Sequence, residues 1–115
     1  MINGFYNETH ELNEYEQNIL LPVIVKGLST KIGESKAVTN KHIIEHLKLR
    51  GYQKLTPARV RKIINNIRVN GIIKNLVASS KGYWIEPNIE RRKLYSESII
   101  QRADAMLAIL KHIEI

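Results

Sequence analysis

The sequence has no cysteine, which excludes disulfide staples, thiolate metal ligands and cysteine nucleophiles together. It has no apolar run near the roughly 18–20 residues that a membrane-spanning helix needs. The longest, Ile19 to Val25, is interrupted by Pro22. Residues 1–13 lack the charged-then-apolar order of a leader peptide, because their charges are the acids Glu8 and Glu11. A cytoplasmic protein that does not enter membranes is the expectation. Acids are almost absent from one long stretch: Glu45 is the only one between residues 36 and 85, against 11 Lys or Arg. No phosphate-cradling glycine loop, Ser-His-Asp set or carboxylate pair stands out, so no catalysis, cofactor or small-molecule ligand is expected.

At 115 residues and 43% hydrophobic content, the chain is sized for one folded domain rather than a disordered tail. Its net charge of +7 is unevenly spread. Residues 1–35 carry two Lys against five Glu, and residues 86–115 carry five charges of each sign. The middle segment therefore holds more than the whole net charge, which is the footprint of a polyanion-binding surface.

Hydrophobic periodicity divides the chain into elements. Asn13 to Glu16 has the form of a capping box, and Leu12, Tyr15, Ile19, Leu20, Val23 and Ile24 then recur at helical spacing. Pro22 predicts a kink or a break in that helix. Residues 30–38 read as loop, with Ala37-Val38 able to form a short strand. Thr39 as N-cap, the stripe Ile43, Ile44 and Leu47, and Gly51 after the last turn predict a helix near 40–50. Thr56-Pro57 is the clearest helix start, a hydroxyl cap followed by proline at the first helical position. Val60, Ile63, Ile64 and Ile67 follow at i, i+3, i+4 and i+7, and Gly71 closes the helix after Asn70. Two β-prone runs, Ile72 to Ala78 and Tyr83 to Ile85, flank a four-residue turn, Ser79-Ser80-Lys81-Gly82, and predict a hairpin. Trp84 and Tyr83 alternate on it, so one faces the core and the other the surface. From Asn88 to Ile113 the pattern is helical again, with Ile99, Ala103, Met106, Leu110 and Ile113 spaced as a short coiled-coil seam.

The predicted fold is α+β, mainly α: a winged helix-turn-helix with a long C-terminal helix. It divides into an N-terminal arm (1–12), the winged helix-turn-helix (13–87) and the terminal helix (88–115). The helix from Thr56 to Asn70 is the candidate recognition helix. At about 100° per residue its apolar stripe leaves Ala58, Arg61, Lys62, Asn65 and Val69 on the opposite side, with Arg59, Asn66 and Arg68 on the flanks. These eight positions include no acid, whereas a merely solvated helix face mixes signs. Arg pairs bidentately with guanine and Asn with adenine, while Lys and Arg neutralise phosphate. The candidate DNA-binding set is Lys41, Lys54, Thr56, Arg59, Arg61, Lys62, Asn65, Asn66 and Arg68, with Ser80 and Lys81 at the hairpin tip. The seam residues Ile99, Ala103, Met106, Leu110 and Ile113 are candidates for homodimerisation, although packing on the first helix would bury them equally well.

The runs Thr56 to Ile64, Ile67-Arg68-Val69-Asn70-Gly71-Ile72-Ile73 and Ser79-Ser80-Lys81-Gly82-Tyr83-Trp84-Ile85 resemble small winged-helix proteins of bacteriophages and prophages. There an "IRxNG" helix end precedes an "SSxGY" wing and a helical tail similar to Ser98-Ile99-Ile100-Gln101-Arg102-Ala103. The resemblance spans about residues 38–110 and implies the fold more strongly than the role. With the basic face of the 56–70 helix, the two helices before it and the hairpin after it, the preferred expectation is a protein of a phage or mobile element that binds double-stranded DNA, as a regulator or DNA-organising factor. The acidic N-terminal region is not part of the pattern. The alternative is a winged helix used for protein docking in a phage or replication-related assembly. RNA binding is disfavoured for want of a set of exposed stacking aromatics.

One other motif has chemical content. His42-Ile43-Ile44-Glu45-His46 fits H-x-x-E-H, a zinc peptidase pattern. A third protein ligand is missing nearby, because His10 and His112 sit at the two ends of the chain. The two histidines are expected to be partly exposed on their helix.

Overall fold

The structure, a computed structural model, describes residues 11–114; most of the expected N-terminal arm lies outside the described residues. The described chain is mainly helical, with one two-stranded antiparallel sheet and a long C-terminal helix.

The first helical segment begins after Asn13. The expected capping box is present: the Glu16 N–H donates to Asn13 Oδ1 (2.8 Å), and the Asn13 N–H donates to Glu16 Oε1 (2.9 Å). The segment then runs through a π-helical stretch, Glu16–Leu20, into α1, Leu21–Leu28. The Leu21 N–H reaches back to the Glu16 carbonyl, five residues earlier. Pro22 has no N–H to give, and the wide π turn ahead of it accommodates the ring. The disturbance expected at Pro22 therefore falls one turn earlier, and the helix continues through the proline.

Residues 31–38 are mostly loop around a 3₁₀ turn, Glu34–Lys36. Ile32 and Val38 each make a single-residue bridge to the sheet, to Ile85 and Tyr83. The expected strand at Ala37-Val38 thus shrinks to one residue. Helix α2, Asn40–Leu49, starts on Thr39, whose side chain accepts from the His42 N–H. His42 completes the box by accepting the Thr39 N–H on Nδ1 at 3.3 Å. Gly51 closes α2 with φ +91°, a conformation that favours glycine.

Helix α3, Pro57–Val69, has Thr56 as its cap, accepting from the Arg59 N–H at 3.1 Å. Its stripe is the centre of the core: Val60, Ile63 and Ile67 are 0% exposed and Ile64 is 1%. It packs on Leu20, Ile24 and Leu28 from the first helix and on Ile44 and Leu47 of α2. Each such side chain contributes about 1.5–3 kcal/mol by leaving water.

Strands β1, Leu76–Ser79, and β2, Gly82–Ile85, pair antiparallel with Leu76 opposite Ile85 and Ser79 opposite Gly82. The first strand starts four residues later than its β-prone run suggests. Ile72 to Asn75 instead turn the chain: the Ile72 N–H bonds the Ile67 carbonyl, Asn75 is left-handed (φ +63°), and Ile73 is buried. An apolar pair that seals a turn against the core has the composition of a strand. The hairpin loop is two residues, Ser80-Lys81, rather than four. Gly82 is buried with φ +114°, and a Cβ there would collide with the Val38 carbonyl. Only glycine lets Val38 exchange two backbone hydrogen bonds with Tyr83, at 3.0 and 2.7 Å.

Helix α4, Ile89–Leu110, is capped by Asn88, whose Oδ1 accepts from the Glu90 and Arg91 N–H groups. Its 22 residues span about 33 Å. No side chain of α4 is buried against the described residues. Ile99, Met106, Leu110 and Ile113 are 40–68% exposed, so the seam does not pack on the first helix. Among the described residues no helix is long and apolar enough to cross a membrane.

Candidate nucleic-acid interface

The outer face of α3 is positioned by its buried stripe. Ala58, Arg61, Lys62, Asn65 and Arg68 follow one another along it, and with Ile64 and Tyr83 they line an open groove of about 510 Å³. No carboxylate of the described residues lines this groove. Tyr83 comes from β2, and its hydroxyl donates to Asn40 Oδ1 at 2.9 Å, tying the hairpin to the start of α2. Trp84, its neighbour, faces the interior and is 5% exposed. Small Ala58 and exposed Arg61 lie toward the N-terminal end of the face, with half-buried Asn65 and Arg68 further along.

Two of the expected DNA-facing cations have a partner that the helix itself does not reveal. Glu16 is 1% exposed and reaches α3 from the N-terminal helical segment. Its carboxylate pairs with Lys62 Nζ at 2.7 Å and with Arg59 Nε at 2.9 Å. Burial pushes the Glu16 pKa up, but hydrogen bonds from Lys62, the Asn13 N–H and Arg59 outweigh it and hold the carboxyl below its ordinary value. Arg59 is further committed: Nη1 donates to the Lys54 carbonyl at 2.7 Å, and the guanidinium lies 5.8 Å from the centroid of the Tyr15 ring. Tyr15 in turn donates to the Gln53 carbonyl. Arg59 thus lines a different groove, beside Tyr15, Tyr52 and Lys54, and staples the first helix to the α2–α3 connection. The acid-free face of α3 is acid-free only along its own sequence.

Arg68 is held from the other end. Its Nη2 donates to the Tyr95 hydroxyl at 2.7 Å, and the Ala78 N–H donates to the same oxygen at 3.1 Å. One side chain of α4 therefore bridges α3 and β1. Asn66 is half-buried, and its carbonyl accepts from Asn70 Nδ2.

The remaining candidates are spread around this face. Lys41 is exposed in the first turn of α2, Thr56 is exposed while serving as cap, and Lys54 is exposed with a left-handed backbone (φ +57°). Ser80 and Lys81 form the hairpin tip. Lys81 lies 3.4 Å from Glu34, which also pairs with Arg91 at 3.0 Å. Beneath them Glu86, 4% exposed, accepts from Trp84 Nε1 and the Asn88 N–H and pairs with Arg91. The Trp84 hydrogen bond leads the causes that lower its pKa; burial opposes, while the Asn88 N–H and the charges of Arg91 and Arg92 add to it. This network fixes the hairpin base and the start of α4 together.

Sequence reasoning missed three residues here. Glu16 had a signal: it stands four residues before Leu20 and eight before Ile24, on the face that becomes buried, and an acid in such a stripe needs a cation. Tyr95 and Glu86 had none, because their partners are 17 or more residues away or depend on strand orientation. His42 and His46 are exposed, and His42 serves as a capping residue. Among the described residues no group of three or more His, Asp or Glu is arranged to hold a metal ion.

No protein-family model, curated protein or solved structure matches the chain.

Proposed function

We propose that the protein is a winged helix-turn-helix that binds duplex DNA, with α3 in the major groove and the Ser80-Lys81 hairpin as the wing. The observation that carries this reading is the groove formed by Ala58, Arg61, Lys62, Asn65, Arg68 and Tyr83, open and lined by no carboxylate of the described residues. The order of helices α1 to α3 followed by a hairpin supports it, as does the single-residue pairing of Val38 with the sheet. Arg61 and Asn65 are the base-reading candidates, Lys62 and Arg68 neutralise phosphate, and Lys41, Thr56 and Lys81 steady the backbone. Arg59 orients α3 rather than touching DNA. The exposed seam of α4 supports a homodimer, which would match a two-fold-symmetric site. In this reading the chain is a regulator or DNA-organising factor of a phage or mobile element.

Selection from a random duplex library tests the proposal. Enrichment of a defined, two-fold-symmetric site is the expected result; no binding even at low salt overturns it.

A further inference from the structure

A second groove, of about 540 Å³, lies between α1 and α2 and shares no lining residue with the α3 face. Its floor is apolar: Ile24, Leu28 and Leu47 are buried, with half-buried Val23, Val38 and Ile43 as walls. Its rim is cationic, with Lys26, Lys31 and Arg50 beside the imidazoles of His42 and His46, and no carboxylate of the described residues lines it.

Gly27 lines this groove from within α1. A helical glycine is less favourable than alanine, so its presence asks for a reason. Packing among the described residues supplies none: Gly27 does not have a positive φ, and a Cβ there would meet nothing of them within 4 Å. A bare backbone at the edge of a groove permits close approach of another main chain.

The geometry points to this groove as the docking site for an acidic amphipathic helix of a partner protein. The floor takes apolar anchors at i, i+3 or i+4, and i+7, and the cationic rim pairs with carboxylates flanking them. A phosphodiester backbone has no apolar anchors to offer. The apolar seam of a second copy's terminal helix lacks the acidic flanks, since Asp104 is the one acid from Ile99 to Ile113 and stands against Arg102 and Lys111. The inference goes beyond the DNA-binding reading and stands without it.

The probe is a fluorescein-labelled synthetic helical peptide with Leu anchors and Glu flanks, titrated by anisotropy against the full chain. A peptide with the same anchors and Lys flanks is the control. Gly27→Leu fills the groove at an exposed helical position and is expected to keep the thermal midpoint and the affinity for duplex DNA. The Glu-flanked peptide is expected to bind, to weaken with salt, and to lose at least about tenfold in affinity on Gly27→Leu. Should Gly27→Leu not fold, Lys31→Glu with Arg50→Glu replaces it and is expected to switch preference to the Lys-flanked peptide. Equal binding of both peptides, binding that survives both variants, or no binding at saturating protein overturns the proposal. So does displacement of the peptide by duplex DNA, which would make the groove a polyanion site. A concentration-dependent oligomer abolished by Gly27→Leu would assign the groove to a second copy and also overturn it.

Discussion

Glu16 and Lys62, 46 positions apart in sequence, form a 2.7 Å ion pair on the flank of α3. The carboxylate is buried and the ammonium is partly exposed, with 24% of the Lys62 side chain open to solvent. Lys62 therefore has two tasks: it neutralises a carboxylate that cannot reach water, and it borders the proposed DNA groove. The pair joins the acidic N-terminal helix to the most basic helix of the chain, and it makes the orientation of α3 depend on a residue far from the hairpin.

Glu16→Gln is expected to lower stability at neutral pH by about 2 kcal/mol, because it removes a buried charge that two cations and a backbone N–H satisfy. The folded-state pKa of Glu16 is lowered, so its contribution is present above the ordinary value of 4.5 and is lost as pH falls through the depressed folded value. Thermal midpoints of the two proteins should differ at pH 7 and converge in acid. Glu86 is lowered in the same direction, but it is common to both proteins, and the difference isolates Glu16.

Arg61→Ala and Lys62→Ala should separate DNA contact from folding. Arg61 is exposed and no carboxylate of the described residues pairs with it. Its loss should weaken duplex binding, reduce the slope of log affinity against log salt by about 1, and shift stability by less than about 0.5 kcal/mol. Lys62→Ala should weaken binding and also cost about 1–2 kcal/mol, since the buried Glu16 carboxylate then keeps only Arg59 and the Asn13 N–H as partners. Anisotropy across a salt series and urea melts of both variants read the two effects.

Tyr95→Phe should cost about 1–2 kcal/mol by urea denaturation, because one hydroxyl accepts from both Arg68 and the Ala78 N–H. The Ala78 amide should exchange faster in the variant. An unchanged melt would mean that water replaces the hydroxyl at no cost.

Gly82→Ala is expected to cost about 3 kcal/mol, from a left-handed backbone and a collision with the Val38 carbonyl. Hydrogen exchange should report loss of the Val38–Tyr83 pairing ahead of any change in α3.

Met106→Asp with Leu110→Asp should abolish self-association in sedimentation velocity and leave the thermal midpoint of the dilute protein unchanged. Both side chains are more than half exposed in the single chain, at 68% and 58%, so only a partner helix would register the charges.

Much of the architecture was legible in the sequence because it rests on local chemistry. The caps at Asn13, Thr39 and Thr56, the proline at position 57 and the glycines at 51 and 71 act over one or two turns. The stripe through Val60, Ile63, Ile64 and Ile67 needs only helical periodicity to be recognised. The start of β1 was misjudged for the same reason: Ile72 and Ile73 have strand composition, and only the core that receives Ile73 shows them to be a turn. The face of α3 was legible as a set of residue types. Which of them are committed elsewhere was not, because Glu16, Tyr95 and Lys54 approach Arg59, Lys62 and Arg68 from other elements.

The sequence by itself determined the order of the elements, the buried stripe of α3 and the concentration of positive charge between residues 36 and 85, because each follows from neighbours within a few residues. Tertiary structure alone decided that Glu16 anchors Arg59 and Lys62, that Tyr95 holds Arg68, and that the α4 seam stays exposed. These depend on which surfaces meet when helices far apart in the chain pack around one core, and no local pattern encodes that meeting.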